Sequence, residues 1–216
     1  MKYDLVIFDL DGTILDTIGE LTISFNYALS RSGIDPVTVE VMRSRVGNGA
    51  RVLVQRSIEG ISNVDEDKIL SDYRSYYNEH CVENTDPFPG ITDLLITLKS
   101  HGIKTAVVTN KSDPPARKLC ARNFPGLIDI VQGHMEGLPH KPDPTIVDSI
   151  LKRLDVSREK TVIVGDSETD IRTAINLGID YICVDWGYKD RDVLIENGAG
   201  TIVSSTEELC EIILGE

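Results

Sequence analysis

Residues 3–8, YDLVIF, form a short and almost uninterrupted apolar run that stops against Asp9, Leu10, Asp11 and Gly12. A run with so few polar positions cannot alternate a wet face with a dry one. It reads as a strand covered on both sides, as in a parallel sheet. Ending such a strand in two carboxylates is costly unless something compensates their charge. The remaining chain must therefore supply both the covering layers and the compensation.

The same pattern recurs in KTAVVTN (104–110), LIDIVQG (127–133), TVIVGD (161–166), YICVD (181–185) and TIVSS (201–205). These are short, β-branched-rich segments of strand type. Helix-like stretches separate the later ones, at 113–123, 144–154, 168–177, 189–196 and 206–214. Ser112 or Asp113 can cap the first of these, with Pro114 or Pro115 in its opening turn, and Asp143 with Pro144 can open the second. Strand alternating with helix predicts an open parallel sheet with helices on both faces. One interval breaks the rhythm. Residues 16–84 hold four helical periods and no convincing strand, and a further helix-like stretch, ITDLLITLKSHG, follows the turn-rich NTDPFPG. The expectation is an α/β core of residues 1–15 and 85–216 with a helical insert at 16–84. The insert would sit over the C-terminal ends of the strands, where ligands of such folds bind. The linkers at about 14–18 and 82–90 would be its hinges.

Composition narrows the partners. The net charge is −13, with 22 Lys plus Arg against 35 Asp plus Glu. Nucleic acid and acidic membranes both demand a basic surface, so neither is expected as a partner. A small anionic substrate remains compatible, because a bound divalent cation and a buried lysine reverse the potential locally. No apolar run reaches the length of a membrane span. The start lacks the pattern of a secretory signal, so a cytoplasmic location is expected. Cys81, Cys120, Cys183 and Cys210 have no metal-like spacing and read as buried thiols.

In a parallel sheet the strand ends meet in one crevice. They would bring together Asp9 and Asp11 from the first strand, Thr109 and Asn110 from the second, and Asp166 and Asp170 after TVIVG. Lys141, in HKPDP, would join them. Four clustered carboxylates repel one another, and a divalent cation relieves that. Oxygen donors without a histidine or cysteine cluster favour Mg²⁺ over zinc. Such an ion reaches its substrate through phosphate oxygens. Lys141, Thr109 and the turn at Gly12 and Thr13 could hold the rest of a phosphate. Neither a P-loop nor a dinucleotide-binding glycine pattern follows the first strand.

These motifs resemble those of the haloacid dehalogenase superfamily. DLDGTILDT (9–17), VVTNK with Thr109, HKPDP with Lys141 and GDSETD with Asp166 and Asp170 match its four motifs in order. The resemblance implies a Rossmann-like, three-layer core with a helical cap of the type inserted after the first strand. It implies that Asp9 is a nucleophile forming an aspartyl-phosphate and Asp11 a general acid and base. The metal would be held by the Asp9 carboxylate, the Asp11 carbonyl, Asp166 and Asp170. Thr109 and the Asn110 amide would bind a phosphoryl oxygen, and Lys141 would neutralise the transferring group. Asp11 argues against the dehalogenase branch, and Lys68 is given no Schiff-base role. The insert segment RSRVGNGARVLV most resembles that of phosphoglycolate phosphatases. It implies substrate contacts from Arg45, Gly47, Asn48 and Arg51, with an arginine meeting a carboxylate. The expected partner is a small phosphorylated metabolite, and the chain is expected to be a monomer or weak homodimer. Three alternatives stay open: a related phosphatase or pyrophosphatase, a phosphotransferase like β-phosphoglucomutase, and a non-catalytic metabolite-binding relative.

Overall fold

The computed structural model of the protein describes residues 1–215. In chain order its elements begin with β1 (Leu5–Phe8), β2 (Leu15–Asp16), α1 (Ile18–Ser30), α2 (Val39–Arg45), α3 (Ala50–Ile58) and α4 (Glu66–His80). They continue with β3 (Asp86–Pro87), α5 (Ile91–Ser100), β4 (Lys104–Ser112), α6 (Asp113–Asn123), β5 (Ile130–His134) and α7 (Thr145–Leu154). The chain closes with β6 (Thr161–Gly165), α8 (Glu168–Leu177), β7 (Asp180–Val184), α9 (Arg191–Glu196), β8 (Ile202–Val203) and α10 (Thr206–Leu214).

Six strands form one sheet in the order β5-β4-β1-β6-β7-β8, and every pairing is parallel. All four residues of β1 are buried. Val6 and Phe8 pack into one hydrophobic cluster, and Leu5 and Ile7 into another that holds Ile146 and Ile150 of α7. The alternation along the strand thus divides two dry faces, as the unbroken apolar run requires. Each fully buried side chain of this kind contributes roughly 1.5–3 kcal/mol.

Between β2 and β3 the chain runs through α1–α4 in succession. Side-chain caps start two of these helices: Thr38 accepts from the Val41 amide, and Asp65 from the Lys68 amide. α1 packs on α4, where Phe25 meets Tyr73 edge to face with ring centroids 5.6 Å apart. The two connections to the sheet lie side by side, because β2 and β3 pair antiparallel, Leu15 with Pro87 and Asp16 with Asp86. This small ladder has no signal in the sequence, since two-residue strands are too short to show a period.

Several boundaries move for local reasons. β5 begins at Ile130 instead of residue 127, because the Thr105 hydroxyl donates to the Leu127 carbonyl at 2.8 Å. The Thr105 amide takes the Asp129 carboxylate, also at 2.8 Å. α9 begins at Arg191, because residues 187 and 188 are held against other parts of the structure. β4 runs on to Ser112, with a register shift against β5 between Val108 and Ser112. Thr109, Asn110 and Lys111 occupy that irregularity. The crossing is tight: a Cβ at Gly133 would stand 2.5 Å from the Asp113 Cα, so only glycine fits there.

Removing the Phe25 ring tests the α1–α4 packing. Phe25→Ala should lower the unfolding free energy in urea by about 3–5 kcal/mol. A loss below about 1 kcal/mol would show that the ring is not part of a packed core.

Candidate active site

Asp9 directly follows β1, and Asp166 directly follows β6, the neighbouring strand. Asp170 lies in the first turn of α8. Carboxylate oxygens of Asp9, Asp166 and Asp170 lie within 4.8 Å of one another. Their supports are specific. The Tyr188 amide donates to Asp166 Oδ2 at 2.7 Å, and the Thr13 hydroxyl to Asp166 Oδ1 at 3.1 Å. The Ser167 hydroxyl donates to Asp170 Oδ2 at 2.6 Å. Gly12 passes over this cluster with φ +82°, and a Cβ there would stand 2.4 Å from Asp166 Oδ2. The glycine after the two aspartates is thus needed both for its left-handed backbone and for the close approach.

Lys141 is buried beneath the cluster. Its Nζ donates to Asp170 Oδ1 at 2.7 Å and stands 3.0 Å from Asp9 Oδ1. The contact to Asp9 is an ion pair without hydrogen-bond alignment, so that buried oxygen has no hydrogen-bond partner. Asn110 fixes the lysine's backbone. Its side-chain oxygen accepts from the Lys141 amide at 2.8 Å, and its side-chain nitrogen donates to the Lys141 carbonyl at 3.1 Å. The side chain of Asn110 is therefore a clamp on Lys141, a connection invisible to motif reading.

Burial pushes the Asp9 carboxyl up to about 6, against the pull of Lys141 and with the help of Asp170 and Asp11. Burial pushes Asp166 up to about 7, with Asp9 and Asp170 adding to it. Burial also opposes the charge on Lys141, but Asp170 and Asp9 outweigh it and its pKa is raised.

Asp11 stands apart from the cluster. Its carboxylate accepts from the Thr17 hydroxyl at 2.7 Å and from Lys111 Nζ at 2.8 and 3.0 Å. The Lys111 side chain is only 5% exposed and lies over the Tyr77 ring, 4.5 Å from its centroid. Asp9, Asp11, Thr109, Asn110, Lys111 and Asp166 line one cavity together with Gly47, Leu21, Leu53, Tyr73 and Tyr77. The cavity thus lies between the strand ends and the helices α1–α4.

Among the cavity residues that the sequence did not single out, Lys111 and Tyr188 bond directly to the predicted acids. Lys111 is the third residue of TNK, beside a motif position, which is the signal that could have found it. Tyr188 lines the cavity, and its hydroxyl accepts from the Thr17 amide at 2.7 Å. The loop after YICVD edges the pocket through Tyr188 and Lys189.

Of the insert's arginines, Arg74 lines the cavity, whereas the expected Arg45 and Arg51 do not. Arg51 is paired with Glu66 at 2.7 Å and Asp67 at 2.9 Å, with its side chain half exposed. It points along α3 towards the acidic start of α4, which captures it. Arg45 and Asn48 are not among the residues lining the cavity, although Gly47 between them is. Lys68 pairs with Asp72 at 2.9 Å and reaches the Arg31 carbonyl, which ties α4 to the end of α1.

The three clustered acids fit a metal ion. Asp9 Oδ1 is a buried acceptor with an ion pair to Lys141 but no hydrogen bond, and the donors are all oxygens. Asp9, Asp11, Asp166 and Asp170 face only two buried ammonium groups, those of Lys111 and Lys141. The surplus of two negative charges matches a divalent cation. No other group of three or more metal-binding side chains occurs among the described residues.

Comparison with known proteins agrees with this geometry. The family model of haloacid dehalogenase-like hydrolases matches residues 6–184. A phosphoglycolate phosphatase of Mesorhizobium japonicum is 30% identical over 200 residues, covering 89% of this chain and 87% of its own. The phosphoglycolate phosphatase of Pseudomonas putida is 33% identical over 196 residues, covering 85% and 70%. Among solved structures, a candidate phosphoglycolate phosphatase from Lactobacillus delbrueckii subsp. bulgaricus superposes with a TM-score of 0.94 at 38% identity, covering both chains completely. CbbY from Rhodobacter sphaeroides, solved in complex with phosphate, superposes with a TM-score of 0.81 at 26% identity over 96% of each chain. With the family model spanning the helices α1–α4, all four motifs and the sheet as far as β7, the chain belongs to the haloacid dehalogenase-like hydrolases.

Proposed function

We propose that the protein is a Mg²⁺-dependent phosphomonoester hydrolase acting through an aspartyl-phosphate, with 2-phosphoglycolate as its substrate. The observation that carries the chemistry is Asp9: a cavity-facing carboxylate with no hydrogen bond to its buried oxygen, an ammonium 3.0 Å from that oxygen and two further acids beside it. The relatives named phosphoglycolate phosphatase support the choice of substrate.

An Asp9 carboxylate oxygen attacks phosphorus, and the bond from phosphorus to the ester oxygen breaks. Asp11 gives its proton to that leaving oxygen, so glycolate departs as the alcohol. Asp11 then takes a proton from water as the water oxygen attacks the phosphoryl group on Asp9. Inorganic phosphate leaves and the Asp9 carboxylate is restored. Thr109 and the Asn110 amide would orient the phosphoryl oxygens, with the turn at Gly12 and Thr13 beside them. Lys141 offsets the charge gathered on Asp9 and the phosphoryl group. Asp9, Asp166, Asp170 and the Asp11 carbonyl would hold Mg²⁺, which would neutralise phosphate charge and align the group for attack.

Residues 16–84 would act as a cap that closes over the cavity and keeps bulk water from the aspartyl-phosphate. The paired connections β2 and β3 would serve as its hinge.

Phosphate release with Mg²⁺ tests the reading, with 2-phosphoglycolate set against glucose 1-phosphate, pyrophosphate and a nucleoside monophosphate. The expected kcat/KM for 2-phosphoglycolate exceeds the others by about 100-fold. Asp9→Asn should remove turnover by at least about 10⁴-fold. Flat activity across the panel would refute the substrate, and turnover surviving in Asp9→Asn would refute the mechanism.

Metal binding has its own readout in thermal unfolding. Asp9 and Asp166 hold their protons more tightly folded than unfolded, from an ordinary value of 3.8 to about 6 and about 7. In metal-free protein they therefore favour the native state at low pH, and that contribution is lost as pH rises through about 6 to 7. Mg²⁺ binds the ionised acids, so its stabilisation should grow with pH. At about 100 times its Kd it should raise the Tm on the order of 5–10 °C at pH about 8, and clearly less at pH about 5.5. A Tm indifferent to Mg²⁺ at both pH values would refute the metal site.

A further inference from the structure

The cations around the cavity are unequally committed. Lys141 is held by Asp9 and Asp170 at the phosphoryl end. Arg51 is held by Glu66 and Asp67, and Arg43 donates to the Gly187 and Tyr188 carbonyls. Arg74 and Lys189 line the cavity with more exposed side chains. Lys111 differs from all of these. Its ammonium is buried, it faces the cavity, and its one carboxylate partner is Asp11.

That pairing conflicts with the role proposed for Asp11. To serve the leaving oxygen, the Asp11 side chain must turn to the substrate. Lys111 then keeps the Tyr77 ring on one side and loses its carboxylate. A buried ammonium without a counter-charge is strongly disfavoured. The nearby Tyr73, Leu21, Leu53 and Pro115 offer no second anion. A substrate that brings its own anion does.

We propose that Lys111 is the specificity-determining residue of this site: it exchanges Asp11 for a carboxylate carried by the substrate, on the side of the leaving oxygen away from phosphorus. The proposal rests on the phosphatase reading above and refines it. Substrate charge would thereby be coupled to catalysis. A phosphomonoester with a nearby carboxylate frees Asp11 and satisfies Lys111 in one movement, whereas a neutral ester leaves Lys111 competing for Asp11. Recognition would come from the strand-end loop after Thr109 and not from the arginines Arg45 and Arg51 of the helical insert.

Binding separates this inference from the question of turnover. Calorimetry with Mg²⁺ in the Asp9→Asn background would compare 2-phosphoglycolate with 2-phosphoglycolamide, its uncharged isostere. The acid should bind at least about 30-fold more tightly than the amide. Adding Lys111→Gln should shrink that preference below about threefold, and Lys111→Arg should restore most of it. Equal binding of acid and amide in the Asp9→Asn protein would overturn the proposal, and this comparison does not depend on the Lys111 variants folding. A loss of affinity of the same factor for both ligands in Lys111→Gln would also overturn it, since a purely structural role predicts that. Failure of the phosphatase reading would show separately, as absent turnover in the wild-type protein.

Discussion

Lys141 is the contact on which the rest of the site depends. One ammonium lies between Asp9 and Asp170, with Asp166 beside them, at the C-terminal edge of a sheet whose central strands β1 and β6 are dry on both faces. Without that charge three buried acids would repel one another with nothing to hold them. The surrounding structure is arranged to keep it in place. Asn110 brackets its backbone, Ser167 orients Asp170, and the Tyr188 amide with Thr13 orients Asp166. The compensation is incomplete, and that incompleteness is the functional point. In the proposed reading it leaves a site that would gain from a divalent cation and a phosphoryl group.

The sheet was legible because its strands are buried on both faces. Such strands read as unbroken apolar runs, and each of the six segments picked out by that pattern became a strand of one parallel sheet. The acids were legible for a related reason, since a carboxylate at the end of a buried strand demands an explanation. What the sequence could not display was direction. Arg45 and Arg51 are six positions apart across a turn, and nothing local says which way either points. The acids that capture Arg51 lie at the start of α4, 15 and 16 residues further on. The side chain of Asn110 reads as part of a phosphate-binding strand end, yet it clamps a lysine 31 positions away. Lys111 hid in plain view as a lysine beside a motif, a residue type that is usually solvated.

The two halves of the cavity divide the chemistry between them. The strand ends carry most of the charge, and α1, α3 and α4 contribute Leu21, Ala50 and Leu53 together with the polar-tipped Tyr73, Arg74, Tyr77 and Asn78. In this account the helices bound the size of the substrate and the core selects by charge. Closing the helices over the strand ends would lower the local dielectric and sharpen both effects. The antiparallel pairing of β2 with β3 ties the two connections together, so any movement of α1–α4 would be carried by both at once.

The most direct test of the central claim is to trap the intermediate. Rapid acid quench of the protein during turnover of 2-phosphoglycolate with Mg²⁺, followed by peptide mass spectrometry, reads which residue carries the phosphoryl group. The account predicts one added phosphoryl group on the peptide containing Asp9, formed within the first turnover and located on that side chain. Full turnover with no phosphorylated Asp9 at any quench time, or phosphate on another residue, would contradict it.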